Sequence, residues 1–342
     1  NLNEFKQALE MVAIPSFNIM YADRYDNIFY VSNGKIPFRD SKFDWKKTLP
    51  GNTFRTLTDD YHKFEDLPQL TNPSSGYLFN TNNSAYSASA ARDNLSFDDF
   101  DSTMGYQLHE NNRSIRFMQL MEEYDTITWE NFLSIKYDAR LPDSLYYNVN
   151  VNAVFRMDPL LAGKAAPTVR ILQKWNRSGE LNEIGAAHFN EFYFHLMSKK
   201  KWIDVDEVKA VQMIESLHYA HEKLLNNFGK IEVTLGEYQF LVRGDKILPM
   251  RGLGDVLAAM YSRPHKEGKV KGVAGDSYIM LVRYPSKGLP IIETVNSYGA
   301  SNRSESPHYA DQMNMFVNQE RKQMTLDIDL VRNQAERIYH PK

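Results

Sequence analysis

The chain has 342 residues, 42% of them hydrophobic, and a formal charge of −3. This length suits about two domains, and the charge balance argues against a nucleic-acid binder, which needs a basic excess. Because there is no cysteine, disulfides, thiolate metal sites and a cysteine nucleophile are excluded. Since no apolar run approaches the roughly 18 residues of a membrane span, and the first residues do not resemble a signal peptide, we expect neither in this sequence.

The first 33 residues predict a helix followed by a hairpin. Phe5, Leu9 and Val12 recur at helical spacing, with Asn3 as the expected cap and Pro15 as the stop. Residues 17–22 alternate like a strand, residues 23–27 are turn-forming and residues 28–32 read as a second strand, so residues 17–33 are predicted to form a β-hairpin. The polar, aromatic-containing residues 34–75 predict a long ordered loop.

Residues 86–230 carry a helical signal. The expected helices are 114–123, 128–138, 189–197 and 204–228, the last with acids in its first turn and Gly229 beyond its end. The apolar positions of the last helix are Val208, Val211, Leu217, Leu224 and Phe228. Strands return at 238–243, 277–284 and 291–295. We expect the strands at both ends of the chain to share one sheet, without a clean split into two domains.

The segment Asn72–Ser84 holds the sharpest functional signal. Asn80, Asn82 and Asn83 directly follow the apolar stretch Tyr77–Phe79. Side-chain amides at the tip of a strand are fixed hydrogen-bond donors, and such donors can stabilise a developing oxyanion. The pattern therefore indicates an amide hydrolase whose nucleophile lies elsewhere. The alternative is that these asparagines only cap a strand and a turn.

Two Ser-x-x-Lys patterns offer a nucleophile within the chain. They are Ser32–Lys35 and Ser198–Lys201, in which a lysine one helical turn away could act as the base. The Lys-Thr-Gly and Ser-Asp-Asn companions of that enzyme class are absent, and a two-letter pattern arises easily by chance. We therefore favour solvated or structural residues.

Three further patterns have structural explanations that we prefer. His218 and His221 could share one helix face and bind a metal, but there is no His-Glu-x-x-His pattern. Gly252-Leu-Gly254 lacks the third glycine of a nucleotide loop. The acids Asp93, Asp98, Asp99 and Asp101 could supply oxygen ligands to calcium but lack EF-hand spacing. No cofactor is expected, and Asp98 and Asp101 are weak candidates for a structural calcium site.

The stretch Gly299–Gln312 is dense in small and polar residues. It reads as a surface loop, although His308, Tyr309, Asp311 and Gln312 would also suit a loop packed near a site.

Several segments in order resemble the penicillin acylase family of N-terminal-nucleophile hydrolases. Tyr21–Tyr30 is similar to the family hairpin "YAD-x-x-GNI-x-Y", and Gly34–Arg39 follows it. Asn72-Pro-x-Ser-Gly-Tyr77 then leads into Asn80-Thr-Asn82. The later matches are Trp175 in a Leu-x-x-Trp context, Gly275–Tyr278 and Ser306–Gln312. The last two look closest to the branch of acyl-homoserine-lactone and cyclic-lipopeptide acylases.

The resemblance implies a mechanism and two site residues. In that family the N-terminal serine of the large chain is the nucleophile, and its own α-amine takes the hydroxyl proton through water. The oxyanion is held by a backbone N–H and an asparagine side chain. Aligned through Ser75–Tyr77, that asparagine corresponds to Asn82, and a supporting arginine corresponds to Arg113. Ala85 follows Ser84 where the family often has proline, so the resemblance is weaker at this turn.

The resemblance also implies what the whole protein is. The expected fold is α+β, part of an αββα sandwich with a large helical insertion. It forms one discontinuous domain: residues 1–85 and 231–342 in the sheet core and 86–230 as the insertion. We expect the serine, the small chain and the start of the large chain to precede Asn1 in an autoprocessed precursor, so that the fragment alone is inert.

The parent would then cleave a small N-acyl amide, in antibiotic metabolism or quorum quenching, in the periplasm or outside the cell. The alternative is a non-catalytic binding or scaffold module that retains the acylase fold.

Overall fold

The computed structural model describes residues 1–199 and 208–340 and combines helices with short strands, which confirms the α+β class. The α-helices are α1 (Leu2–Glu10), α2 (Asn112–Glu122), α3 (Trp129–Lys136), α4 (Ala166–Lys174), α5 (Gly185–Ser198), α6 (Ala210–Phe228), α7 (Leu235–Tyr238), α8 (Met313–Val317) and α9 (Ile328–Gln334). The strands are β1 (Phe17–Ala22), β2 (Ile28–Asn33), β3 (Gln69–Thr71), β4 (Gln239–Arg243), β5 (Lys246–Pro249), β6 (Met260–Pro264), β7 (Val270–Gly275), β8 (Tyr278–Arg283), β9 (Ile291–Asn296) and β10 (Lys322–Met324).

The chain divides into two compact units, Asn1–Ser114 (unit 1) and Ile115–Lys342 (unit 2). This boundary does not coincide with those predicted near residues 85 and 230. The assembly of the three predicted segments into one discontinuous domain stays a prediction.

Unit 1 contains the predicted hairpin. β1 and β2 pair antiparallel from Phe17 opposite Asn33 to Ala22 opposite Ile28. The turn between them is closed by Asp23, whose Oδ1 accepts the N–H groups of Tyr25 and Asn27 at 2.8 and 3.1 Å. β3 then pairs antiparallel with β2 and lies inside the segment predicted to be loop.

The loop of residues 34–75 is ordered by burial of its apolar residues. Ile36, Phe64 and Leu67 pack with Phe29 and Val31 of β2 in the core of unit 1. Helix α1 also joins this core through Leu9. Its cap is Asn1 and not Asn3, because Asn1 Oδ1 accepts the N–H groups of Asn3 and Glu4 at 3.1 and 3.2 Å. The predicted cap was wrong by two residues.

Unit 2 is built on three packed helices, α4, α5 and α6, whose fully buried residues include Leu172, Phe192 and Leu217. Helix α6 ends as predicted, because Gly229 adopts a left-handed conformation (φ 68°) and its N–H bonds to Leu225 O at 2.8 Å. The predicted first turn, at Asp204, lies outside the described residues. Val211 is 67% exposed, so its placement on the apolar face was wrong.

The other helix predictions fare unevenly. Helices α2 and α3 match the predictions at 114–123 and 128–138, and α5 contains the predicted 189–197. Helix α4 was not predicted. Its second residue is Pro167, which is tolerated in the first turn of a helix because the N–H that proline lacks has no partner there.

The strands of unit 2 form two sheets. One has the order β5-β4-β7-β6, with β4 and β7 parallel and the other pairs antiparallel. The other is antiparallel, in the order β10-β9-β8. In the described residues the strands of the two chain ends therefore pair in separate sheets, and the expectation of a shared sheet was wrong. Each strand finds its partners among segments closer in the chain.

No helix within the described ranges combines the length and apolarity needed to cross a membrane.

A candidate oxyanion site at Asn82

The segment Asn72–Ser84 begins directly after β3 and is tied to the sheet by its first residue. Asn72 Oδ1 accepts the Ile28 N–H at 2.8 Å, and Asn72 N–H donates to Ile28 O at 3.0 Å. The expected strand at Tyr77–Phe79 is wrong, because these residues form no regular strand. Phe79 instead donates a backbone hydrogen bond to Ala88 O at 2.9 Å and buries its ring.

A carboxylate secures the turn before the asparagines. Asp93 accepts hydrogen bonds from Ser74 Oγ at 2.7 Å, Ser74 N at 3.1 Å and Ser75 N at 2.8 Å. The hydrogen bonds from Ser74, followed by those from Ser75, lower the pKa of Asp93 to about 2. This acid was a calcium candidate in the sequence, and the structure uses it to hold the turn.

The three asparagines have different surroundings. Asn80 Oδ1 accepts the Asn82 N–H at 3.1 Å. Asn83 is buried, accepts the Thr81 N–H at 2.8 Å and donates to Ser87 O at 2.5 Å. Asn82 is exposed and left-handed (φ 62°), a conformation that asparagine adopts more readily than most residues. Asn80 and Asn83 thus build the turn, and Asn82 projects from it.

The Asn82 side chain is oriented by Arg113, whose Nη1 donates to Asn82 Oδ1 at 3.1 Å. A guanidinium has only donors, so the amide atom facing it is the oxygen. Asn82 Nδ2 consequently lies on the other side of the amide and has no protein acceptor among the described residues. The structure brings the two predicted site residues together and leaves a hydrogen-bond donor directed away from them.

Arg113 is held at the start of helix α2. Asn111 Oδ1 accepts the Ser114 N–H at 2.9 Å, and Ser114 Oγ accepts the Asn111 N–H at 3.0 Å. These reciprocal bonds satisfy donors at the helix N-terminus as a capping box does. The sequence signal for this cap is an asparagine followed three residues later by serine, and the sequence argument missed it.

The Ser-x-x-Lys candidates do not form a catalytic pair where both residues are described. Lys35 Nζ lies 4.2 Å from the centre of the Tyr61 ring, and Ser32 is buried in β2. Ser198 Oγ donates to His195 O at 2.7 Å, and Lys201 lies outside the described residues.

The metal candidates have other partners in the structure. In the described part of the chain, no three His, Asp or Glu side chains come together in a way that could hold an ion. Asp101 Oδ1 caps a short 3-10 helix through the Thr103 N–H at 2.8 Å, and Asp98 belongs to the preceding one. His221 Nδ1 is paired with Thr168 Oγ1 at 3.1 Å.

The glycine loop at Gly252–Gly254 and the polar stretch Gly299–Gln312 form contacts within unit 2. Gly252 (φ 96°) donates its N–H to Gly179 O at 2.8 Å, as a structural loop residue would. His308 pairs with Asp311 at 2.9 Å and with Glu336 at 3.3 Å. The hydrogen bond to Asp311, and next that to Glu336, raise the pKa of His308.

From the sequence we expected an amide donor at Asn82 with Arg113 beside it, and the two side chains are in contact. The sequence model of the penicillin amidase family matches residues 1–333. The chain therefore belongs to the penicillin amidase family, and its class is that of the acylase-like amidohydrolases.

A solved structure supports the fold. The chain is similar to a thermostable penicillin G acylase from Alcaligenes faecalis, with a TM-score of 0.58 and 15% sequence identity. The match covers 100% of this chain and 71% of that chain. It confirms the expected N-terminal-nucleophile hydrolase fold.

Proposed function

We propose that this chain is the C-terminal part of the large chain of an N-acyl amidohydrolase and that Asn82 donates to the oxyanion of its tetrahedral intermediate. One observation carries the proposal: Arg113 fixes Asn82 Oδ1 and leaves Nδ2 as a directed donor. Since the catalytic serine of the family is an N-terminal residue, the proposal places it upstream of Asn1 in the precursor.

The chemistry assigned to these residues is electrostatic. When the serine attacks the amide carbonyl, the oxygen becomes an anion, and Asn82 Nδ2 stabilises it together with a backbone N–H. Arg113 does not touch the substrate in this scheme. Its charge polarises the amide, which strengthens the Nδ2 donor, and its hydrogen bond stops the amide from rotating. The donor is thus in place before the negative charge forms.

The finer assignments extend the same proposal. Membership of the penicillin amidase family supports cleavage of a precursor into two chains and export to the periplasm or outside. The resemblance of Gly275–Tyr278 and Ser306–Gln312 to one branch of that family supports action on acyl homoserine lactones or cyclic lipopeptides. The substrate is an N-acyl amide whose acyl group is aromatic or a fatty chain.

The test of Asn82 uses the full-length processed protein with N-phenylacetyl and N-decanoyl p-nitroanilides. Asn82→Ala should lower kcat by about 10²–10³-fold, as loss of one oxyanion donor does. Asn82→Asp should lower it similarly, because the carboxylate still accepts from Arg113 but cannot donate.

Asn72→Ala is the matched control, since Asn72 is also a left-handed asparagine of this segment (φ 47°) but bonds to Ile28. Asn72→Ala should lower the melting temperature and leave kcat close to that of the wild type. A folded Asn82→Ala protein with a near-wild-type rate would refute the proposed role.

A second experiment tests the position of the nucleophile. The isolated chain of residues 1–342 should hydrolyse neither anilide, and a serine-reactive probe should label the full-length protein but not the isolated chain. Activity of the isolated chain would place the nucleophile inside it. If the full-length protein is folded yet unlabelled and inactive on both anilides, the non-catalytic binding module becomes the better account.

A further inference from the structure

We infer that Asn111 is a positioning residue that sets the geometry of the Asn82–Arg113 pair, an inference that rests on the proposed function. Its side chain has two roles at once. Nδ2 donates to Thr81 O at 2.8 Å, on the residue directly before Asn82. Oδ1 accepts the Ser114 N–H at 2.9 Å, on the residue directly after Arg113.

A single planar amide therefore links the two segments that carry the site. The Asn82 turn and the start of α2 are 31 residues apart in sequence at the Asn82–Arg113 hydrogen bond. Thr81 Oγ1 also approaches Asn111 Oδ1 at 3.4 Å. Because both ends of the amide are engaged, one side chain holds Thr81 and the N–H of Ser114 at a fixed separation, on either side of the 3.1 Å contact of Arg113 with Asn82.

The neighbouring bonds do not replace this link. Asn83 holds the Thr81 N–H and Asn80 holds the Asn82 N–H, so both act inside the turn. Asn111 connects the turn to the helix that bears Arg113. Loss of the bond to Thr81 O alone should leave the turn folded and the helix capped but let the Asn82 amide lie off the position that the oxyanion requires.

The test separates the link from the cap. Asn111→Ser keeps an oxygen that can cap α2, since serine caps as well as asparagine, but is too short to reach Thr81 O. Asn111→Asp keeps the cap and removes the donor, and agreement between the two variants excludes a charge effect. In the full-length processed protein with the p-nitroanilides, each should lower kcat about 10-fold to 100-fold with KM within about twofold.

A double-mutant cycle with Asn82→Ala distinguishes positioning from general damage. If Asn111 acts through Asn82, then Asn111→Ser should change kcat by less than about twofold in the Asn82→Ala background. The matched control is Asn152→Ser, since Asn152 also bridges with both ends of its amide, to Leu145 N and O at 2.7 and 2.8 Å. It should lower the melting temperature without lowering kcat.

Three results overturn the inference. Equal losses of kcat from Asn111→Ser in both backgrounds would show that it does not act through Asn82. No loss from Asn111→Ser or Asn111→Asp, while Asn82→Ala is impaired, would leave the proposed function standing and remove this inference alone. No loss from Asn82→Ala would remove both.

Discussion

Stability in mild acid should depend on one buried histidine of α5. His188 is fully buried, and its Nε2 lies 2.7 Å from Ile231 O. A carbonyl only accepts, so Nε2 carries a proton, and burial favours the neutral ring, in which Nδ1 carries none. Nδ1 has no hydrogen-bond partner among the described groups. Burial, with a smaller contribution from His221, lowers the pKa of His188 to about 4.

The sign and size of the effect follow from this pKa. Between pH 6.5 and pH 4 the unfolded chain protonates this histidine and the folded chain does not, so stability falls as the pH falls. The stability is fully present above pH 6.5 and is lost by about pH 4. At about 1.4 kcal/mol per pH unit, protonation of the unfolded chain lowers the free energy of unfolding by about 3 kcal/mol between pH 6.5 and pH 4.

The assay compares urea unfolding of wild type and His188→Gln from pH 4 to pH 7. Glutamine can still donate to Ile231 O but does not titrate in this range. The free energy of unfolding of the wild type, relative to the variant, should increase by about 3 kcal/mol over this range. Parallel pH profiles for the two proteins would refute the reasoning.

His308→Gln provides a control of opposite sign. The pKa of His308 is raised, so its contribution is present below the unfolded pKa and is lost as the pH rises through the folded one. The wild type should therefore lose stability relative to this variant as the pH rises.

Three further changes have expected outcomes. Arg113→Met should lower kcat about 10-fold to 100-fold in steady-state assays, because Asn82 loses the bond that orients its amide; an unchanged kcat would contradict this. Glu191→Gln should cost about 3 kcal/mol in urea unfolding, because Lys223, 2.7 Å from this buried carboxylate, loses its counter-charge. Leu217→Ala should cost about 2–5 kcal/mol, since the side chain is fully buried, and a loss below about 1 kcal/mol would count against its place in the core.

Local sequence patterns predicted the elements that local forces define. The β1–β2 hairpin follows from two short strand-forming segments around a turn, and the end of α6 follows from Gly229. β3 has three residues, too few to show alternation. β7 contains two glycines and pairs in parallel with β4, a long-range partner that periodicity within the strand cannot reveal.

In the candidate site, too, local sequence predicted some features and long-range contacts set the others. The sequence indicated that amides follow Phe79, but it could not say which of them projects, because this depends on which side chains close the turn. Only the family resemblance favoured Asn82 over its neighbours. Asn111 escaped notice because its role depends on Thr81, a contact made across 30 residues of chain.

The arrangement of unit 1 explains how an exposed amide can be a precise donor. A left-handed, solvent-exposed asparagine would ordinarily sample several rotamers and contribute little, since each orientation lost costs entropy. Here the bond from Arg113 selects one orientation, and Asn80 and Asn83 fix the backbone beneath it. The rotamer entropy of the Asn82 side chain is lost when the protein folds. No further loss is needed when charge develops on the substrate. Such preorganisation is what makes an oxyanion donor effective.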